Sequence, residues 1–429
     1  MIEKLKKFKN LIKDLFFNTL GFGIYIITQQ ILLMPIMAKI LPDEDFTKTV
    51  LYISIFAIIT NVLGSELGIV KQVKKDTIKE ETDYNRILLQ LLPITILVSI
   101  VTLCILKFNI IEIIMLTITI ILGNTRLYSA AHFRANKDFK KIVIQNILYL
   151  VGTVVGLAIT YKLKIIAIPM LLAEIMCLIF DILKTNIIKT GISKTKNNKE
   201  IWTKFISFGF ISFLINMTTY FDKIIIYPIL GDNAVNVYYA TSSMSKILNL
   251  ITNPLHGVIL SWLKGDDENF KNKVTSTTIK ANIPVLIIVF FMSMPLTYLA
   301  VKLLYPQYLN NSIKLILPIC ISAAFGTVTS VVKAILMKYI ESKKLVTSYI
   351  LYIIVLLISA TLMSYSFGII GFAYATAIAH ISLWIMFIFI LNKATKKGEN
   401  NGTKWQKYIK LFVYMYCYKY YTNNVIRWI

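Results

Sequence analysis

Charged side chains inside long apolar stretches are the residues of this sequence most able to do chemistry. Lys246 lies midway through one such stretch, and Asp222 and Lys223 lie side by side in the stretch before it. Glu174 and Glu66 are carboxylates in two earlier stretches. A charge at the centre of a bilayer costs roughly 2.5–3.5 kcal/mol on insertion scales, so such a residue is usually functional or paired.

Neutral polar residues accompany these charges. Gln29 and Gln30 lie in the middle of the first apolar stretch, Asn216 lies in the seventh, and Ser242 lies four residues before Lys246. A buried lysine can bind an anion, and a buried carboxylate can carry a proton or Na⁺. The amides and the hydroxyl can hydrogen-bond either a polar ligand or a neighbouring helix.

Composition identifies the elements that must position these residues. The chain has 429 residues, of which 56% are hydrophobic and 16% are charged, and its mean hydropathy is +0.67. Soluble proteins carry about 25% charged residues, and apolar runs of about 20 residues indicate membrane-spanning helices. The composition therefore predicts an all-α integral membrane protein and excludes most soluble enzymes, extracellular binding modules and DNA-binding proteins.

Apolar runs between charged loops predict twelve spans, near residues 15–41, 47–70, 87–106, 109–131, 142–161, 165–188, 205–230, 234–262, 281–304, 312–337, 345–366 and 368–391. With the N-terminus inside, 36 of the 46 Lys and Arg residues fall in inside segments. Because cytoplasmic loops are enriched in Lys and Arg, we expect both termini to be cytoplasmic. The formal net charge of +24 arises largely from the same loops.

The longest inside loop separates two halves of the chain. We expect a six-helix lobe over residues 1–195, a second over residues 196–392, and a basic, aromatic cytoplasmic tail over residues 393–429. Both lobes begin on the same side of the membrane, so any repeat is parallel.

No metal or cofactor site is expected. The four cysteines are scattered, and His132, His256 and His380 are isolated from one another, so each histidine is expected to be a core residue. The outside loops are short and leave no room for an external active site. Arg126 and Asp181, close to inner helix ends, are expected at the membrane interface.

Two stretches carry a family resemblance. The first reads QQILLMPIMAKILPDEDFTKTVLYISIFAIITNVLGSELGIVKQVKK, and the second reads YFDKIIIYPILGDNAVNVYYATSSMSKIL. They resemble bacterial polysaccharide-biosynthesis flippases, the O-antigen and capsular repeat-unit (Wzx-type) branch of the MATE-like exporter superfamily. Pro42 and Asn236 stand where that family favours glycine, and neither departure alters the expected fold.

The resemblance implies two six-helix bundles around a central cavity that opens alternately to either side. It implies a transporter and not an enzyme, one that moves an undecaprenyl-diphosphate-linked oligosaccharide outward across the bacterial cytoplasmic (inner) membrane, with a gradient of H⁺ or Na⁺ as the driving force. Besides the lipid bilayer, a polymerase and a chain-length regulator of the same pathway are the expected partners. O-antigen, capsule and exopolysaccharide pathways all stay open.

Roles for the buried charges come from that implication. Lys246 is expected to contact the diphosphate, or else to pair with Glu174 or Asp222 for structure. Of Asp222 and Lys223, one is expected to line the cavity and the other to pair between helices, because neighbours differ by about 100° around a helix. Glu174, Glu66 and Asp222 are the candidates for ion coupling. A second set of residues is expected to bind sugar hydroxyls or to join helices, namely Gln29, Gln30, Asn216 and Ser242.

Three alternatives remain. A MATE-like drug or metabolite antiporter is expected to have acidic residues in its cavity and no lysine at mid-membrane. A membrane polysaccharide polymerase is expected to have a large external loop. A lipid II flippase of the same superfamily is expected to be longer than 429 residues.

Overall fold

The structure is a computed structural model that describes the backbone of residues 2–74, 77–78, 81–185, 197–262, 268–339 and 342–395. Within those ranges, the side chains of residues 2–12, 15, 244–275, 334, 337–339, 342 and 394–395 lie outside the described set. The predictions for the Lys246 side chain and for nearly all of the tail at 393–429 therefore fall outside the described residues.

Helices account for all the regular structure in the described ranges. In chain order they are α1 Ile2–Ile26, α2 Met34–Ile40, α3 Asp43–Thr60, α4 Glu66–Lys74, α5 Glu81–Gln90, α6 Leu92–Ile105, α7 Ile110–Ala135, α8 Phe139–Leu163, α9 Ile168–Lys184, α10 Asn198–Trp262, α11 Glu268–Leu304, α12 Leu309–Tyr339 and α13 Ser342–Thr395. A 3₁₀ turn at Pro306–Tyr308 precedes α12. The predicted all-α fold is confirmed.

Nine helical segments of the described chain are long and apolar enough to cross a membrane. Two of them, Asn198–Ser243 and Lys343–Lys393, have 46 and 51 residues and break at Gly231 and Gly368, where φ is +76° and +56°. Left-handed backbone suits glycine, which has no Cβ to clash. Both breaks coincide with predicted outside turns, while the count of twelve spans stays a prediction.

Two π-helical segments interrupt the first two predicted spans. Ile27–Leu33 joins α1 to α2, and Asn61–Ser65 joins α3 to α4. A π-helix bonds each residue to the fifth one along and is frequent at functional sites. The sequence pattern did not predict either segment.

Close helix packing inside the first half (residues 1–195) depends on small residues. A Cβ built on Gly152 would lie 2.6 Å from the Ala173 Cα, and one on Gly156 would lie 2.3 Å from the Pro169 Cα. This Gly-x₃-Gly pair therefore lets α8 approach α9 at backbone contact, as small residues do in membrane helices. Many large aliphatic side chains elsewhere face outward, including Leu97, which is 65% exposed, as expected for surfaces that contact lipid.

Helix α10 is the main link between the first half and the second half (residues 196–392). It packs on α3, on α4 and on the π-helical segment between them, as well as on α12 and α13. Its first turns pack into the first half, where Ile201 and Phe205 join a buried cluster with Leu67, Tyr84 and Ile87. The division at residue 195 stays a prediction.

Candidate functional site

A set of polar side chains joins the two halves at several depths along the predicted spans. We call it the polar seam and define it as Gln30, Asn61 and Glu66 of the first half with Ser212, Asn216 and Tyr239 of the second. The Asn61 amide donates to Asn216 Oδ1 at 2.8 Å, and the Tyr239 hydroxyl donates to Gln30 Oε1 at 3.0 Å. The seam thus holds amide, hydroxyl and carboxyl groups that can hydrogen-bond a polar ligand.

The two π-helical segments position the first-half side of the seam. Gln29 and Gln30 lie in the first segment, and Asn61 lies in the second. Glu66 begins the helix after the second segment, and the Ser212 hydroxyl interacts with its carboxyl group. Because a π turn changes which way the neighbouring residues point, these segments determine which polar groups face α10.

A second contact closes one end of the interface, on the side that the charge distribution predicts to be outside. We call it the outer seal and define it as Asp43, Phe46 and Thr47 with Asn236, Tyr305 and Tyr308. The Thr47 hydroxyl donates to Asn236 Oδ1 at 3.0 Å, and the Asn236 amide donates to the Asp43 carbonyl oxygen at 2.9 Å. The Tyr308 hydroxyl donates to Asp43 Oδ1 at 2.6 Å.

Aromatic rings fill the centre of the outer seal. Phe46 is 0% exposed, and its ring stacks on Tyr308 at 6.2 Å between centroids. It also meets Tyr239 edge-on at 6.1 Å and Tyr305 at 6.5 Å. The three tyrosines all come from the second half, so separating the halves here would expose the Phe46 ring.

Asp222 and Lys223 form one buried ion pair instead of pointing to different places. Lys223 Nζ donates to Asp222 Oδ1 at 2.6 Å, and the Tyr238 hydroxyl donates to Asp222 Oδ2 at 3.0 Å. The two side chains thus pair with each other, and which of them lines a cavity stays a prediction. The flexible four-carbon stem of lysine lets its ammonium reach back to the neighbouring side chain.

Glu174 pairs with Arg126 inside the first half. Arg126 Nε lies 3.0 and 2.9 Å from the two Glu174 carboxylate oxygens, and the two residues are 3% and 0% exposed. The Arg126 guanidinium contacts both the Tyr25 and the Tyr149 ring, at 4.7 and 4.9 Å from their centroids. Gln29 donates to the Tyr149 hydroxyl at 3.1 Å, which connects this pair to the first π-helical segment.

Arg126 and Asp181 are both buried inside the first half, and their position at the depth of the membrane interface stays a prediction. Asp181 is 1% exposed, and the Gln145 amide lies 2.7 and 2.9 Å from its two carboxylate oxygens. The sequence places both residues close to helix ends, which favours exposure. Arg126 of α7 nevertheless pairs with Glu174 of α9, and Asp181 of α9 contacts Gln145 of α8. These partners are 48 and 36 residues away in the chain, so the local sequence does not reveal them.

The structure brings only some of the predicted residues together. Gln30 and Asn216 lie in the seam along with Glu66, whereas Glu174 and the Asp222–Lys223 pair lie inside separate halves. Ser242 is buried at 1% exposure. The described part of the chain holds no group of three His, Cys, Asp or Glu residues suited to a metal ion.

A cleft of about 390 Å³ opens elsewhere, at the predicted outer end of the second half. Leu230, Asn233 and Lys314 are among its lining residues, with Ile369 and Ile370 opposite. All belong to the second half, so this cleft is not the passage predicted between the halves. That passage stays a prediction.

Known proteins share both the sequence pattern and the geometry of this chain. Residues 11–263 match the sequence family described as polysaccharide biosynthesis protein. The chain belongs to that family. The match confirms the resemblance inferred from the first two spans and the start of the second half. No curated protein sequence matches the chain.

Solved structures share the fold of this polysaccharide biosynthesis protein. The lipid II flippase MurJ in an inward closed conformation is 15% identical with a TM-score of 0.66, covering 98% of this chain and 99% of its own. An inward-facing multidrug resistance MATE family transporter is 12% identical with a TM-score of 0.63, covering 89% and 100%. The eukaryotic MATE transporter AtDTX14 is 12% identical with a TM-score of 0.66, covering 90% and 97%.

These similarities show a multi-pass membrane fold of the MurJ and MATE type. They also remove one distinction drawn from the sequence, namely that a lipid II flippase would be longer. The MurJ structure aligns over 99% of its length with 98% of this chain, so length does not separate the two.

Proposed function

We propose that this protein translocates an undecaprenyl-diphosphate-linked oligosaccharide repeat unit from the inner to the outer leaflet of the bacterial cytoplasmic membrane. The observation that carries the proposal is the match of residues 11–263 to the polysaccharide biosynthesis family. The fold shared with a lipid II flippase supports a lipid-linked substrate. O-antigen, capsule and exopolysaccharide assembly all require this step.

The polar seam supports a sugar as the transported head group. Each unsatisfied polar group costs several kcal/mol in hydrocarbon, so an oligosaccharide needs hydrogen-bonding partners along its route. Gln30, Asn61 and Asn216 offer amides, and Ser212 and Tyr239 offer hydroxyls. When the halves separate, these groups lose their partners across the seam and become available to sugar hydroxyls.

A diphosphate needs cations that are not already neutralised. Lys223 is paired with Asp222 at 2.6 Å, and Arg126 is paired with Glu174 at 2.9 Å. We propose Lys246 for the diphosphate because of its position midway along a predicted span. Ser242, Gln29 and the Asp222–Lys223 pair are proposed to shape the walls of the same passage.

We propose that the substrate crosses by alternating access, in which the passage between the halves opens to one side of the membrane at a time. The outer seal closes the predicted outer end, and a transport cycle must break it and close the other end instead. We propose that a proton or Na⁺ gradient drives the cycle, with Glu174, Glu66 and Asp222 as the coupling carboxylates. Moving one charge across the membrane potential supplies about 2.3 kcal/mol per 100 mV. Both termini are proposed to be cytoplasmic, and a polymerase and a chain-length regulator of the same pathway are proposed as partners.

The second candidate is a MATE-like drug or metabolite antiporter, which the fold of two solved MATE transporters favours. A membrane polysaccharide polymerase is the third candidate. Every predicted outside loop is short, which argues against a polymerase.

A strain lacking the protein tests the proposal. We expect undecaprenyl-linked repeat units to accumulate on the cytoplasmic leaflet and to reach the outer leaflet again when the wild-type protein is restored. Lys246→Ala should fail to restore them, whereas Lys302→Ala, which changes an exposed lysine on α11, should succeed. Normal export without the protein contradicts the function, and full activity of Lys246→Ala eliminates the diphosphate contact.

A further inference from the structure

A chain of polar contacts crosses the second half, away from the polar seam. Tyr238 of α10 contacts Asp222 of the same helix and Thr376 of α13, and His380 of α13 contacts Thr376 and Ser322 of α12. We propose that this group, the second-half network, is a proton-binding site and that His380 is its titrating residue. The inference deepens the proposed function, on which it rests, by naming the proton as the coupling ion.

The contacts lead from a carboxylate to an imidazole through two different groups of Thr376, its hydroxyl and its backbone carbonyl. The Tyr238 hydroxyl donates to Asp222 Oδ2 at 3.0 Å, and its oxygen lies 3.5 Å from Thr376 Oγ1. His380 Nδ1 lies 2.9 Å from the Thr376 carbonyl oxygen and 3.0 Å from Ser322 Oγ. The network therefore contains two groups that can hold a proton, and it links three helices of the second half.

The same contacts select the basic nitrogen of His380. The Thr376 carbonyl oxygen can only accept a hydrogen bond, so we infer the tautomer with its hydrogen on Nδ1, where Ser322 Oγ is a second acceptor. We therefore assign Nε2 as the atom that takes up the second proton. An imidazole exchanges protons near neutral pH, where a transmembrane pH gradient exists.

Charged groups near the network favour its role. The Tyr352 ring packs against His380 at 5.2 Å between centroids, and its hydroxyl lies 3.5 Å from Nδ1. Among the residues whose side chains are described, α11, α12 and α13 carry no Asp or Glu, and their charges are lysines such as Lys280 and Lys333. Asp222, which is paired with Lys223, is the carboxylate at the opposite end of the network from His380.

Neighbouring tyrosines connect the network to the contact between the halves. Tyr238 points into the network, and its ring packs edge-on against Phe372 at 5.2 Å. The next residue, Tyr239, donates to Gln30 of the first half at 3.0 Å and packs against Phe46 of the outer seal. A change of charge at His380 that shifts Tyr238 therefore also shifts the residue that holds the halves together.

A titration of His380 tests the site without any substrate. Histidine-labelled protein in lipid nanodiscs gives nitrogen resonances for its three histidines, and His380→Gln identifies the signal of interest. Asp222→Asn leaves the Lys223 cation unbalanced, so the His380 midpoint should fall by about 0.5 pH unit or more. Lys223→Gln leaves the carboxylate unbalanced, so the midpoint should rise by about the same amount.

Asp232→Asn is the matched control, since it removes a carboxylate at the outer turn of the same helix. Its His380 midpoint should stay within about 0.2 pH unit of wild type. Opposite shifts in the Asp222 and Lys223 variants support the network. Midpoints that do not move, or that move equally in the control, overturn it.

Transport supplies the second arm and uses variants that keep the packing. Tyr238→Phe removes only the hydroxyl, and Tyr349→Phe is its control, because Tyr349 is a buried tyrosine of α13 whose ring packs on Phe387 instead. Proteoliposomes would carry lipid-linked oligosaccharides extracted from a strain lacking the protein. An imposed pH gradient should accelerate flipping about fivefold in wild type and Tyr349→Phe, and less than about twofold in Tyr238→Phe and His380→Gln.

Failure of the inference and failure of the proposed function give different results. Flipping that responds to a Na⁺ gradient and not to a pH gradient overturns the proton site while the flippase survives. A wild-type protein that flips nothing overturns the proposed function, and the titration then decides on its own whether His380 and Asp222 share a proton site.

Discussion

Replacing Phe46 with alanine should open the outer seal while leaving the fold of each half intact. The ring is 0% exposed and packs only on second-half tyrosines among its ring contacts, namely Tyr239, Tyr305 and Tyr308. We expect the part of its burial that these tyrosines provide to be lost when the outer end opens. Phe46→Ala therefore weakens one conformation of the transport cycle and not the other.

The size of the effect can be worked out from the burial of the ring. Burying a phenylalanine side chain stabilises a structure by about 1.5–3 kcal/mol, and edge or stacked ring contacts add about 0.5–1.5 kcal/mol. A loss of about 2–3 kcal/mol from the closed state alone shifts the equilibrium toward the open state by about 30- to 160-fold.

Cysteine labelling from outside the cell measures that shift. Thr47 is 0% exposed and contacts Asn236 across the halves at 3.0 Å, so a cysteine there is accessible only when the outer end opens. In a background whose four native cysteines are replaced by serine, Thr47→Cys should react with a membrane-impermeant maleimide. Adding Phe46→Ala should raise the labelled fraction at short times.

The control removes a similar ring from the same helix. Phe56 is buried against Gly123 of the first half, so Phe56→Ala lowers stability without touching the contact between halves. Labelling at Thr47→Cys should not rise in that variant. Equal labelling rates with and without Phe46→Ala would refute the assignment of Phe46 as the centre of the outer seal.

Three further predictions concern stability, and thermal unfolding in detergent measures each. Glu174→Leu should lower the free energy of unfolding by about 3–5 kcal/mol, because it leaves Arg126 buried without its carboxylate partner. Replacing both residues by leucine should lower it by less. Equal losses in the single and double variants would contradict the buried ion pair. Gly156→Leu should destabilise the protein, since even a Cβ there meets the Pro169 Cα at 2.3 Å, and an unchanged unfolding temperature would argue against backbone contact. Lys137→Gly should raise the free energy of unfolding by about 1 kcal/mol, because Lys137 adopts the left-handed backbone conformation, with φ +60°, just beyond α7. A lower unfolding temperature for this variant would contradict the prediction.

Periodic and local features of the fold were predictable from the sequence. Apolar runs identified the membrane helices, and the short turns near Gly231 and Gly368 were expected where α10 and α13 break. The acidic turn that begins α3 was also recognisable, because Asp43 and its neighbours suit the positive end of a helix. These features depend on residues close together in the chain.

Pairing between distant helices was not predictable. Arg126 and Glu174 are 48 residues apart, and nothing near either residue indicates the other. His380 was expected to be an isolated core residue because its partners, Ser322 and Tyr352, come from other helical segments. The π-helical segments were missed because five-residue spacing of hydrogen bonds leaves no pattern of apolar side chains.

Each π-helical segment is equivalent to a one-residue insertion that a membrane helix has absorbed. Deleting one residue within 27–33 or 61–65 would restore an uninterrupted α-helix and would rotate the part of the helix before the deletion by about 100° relative to the part after it. A family member one residue shorter at either place would keep its helices but would present a different side chain where Gln29 or Asn61 now lies. Alignments of this family should therefore allow a gap inside these two helices.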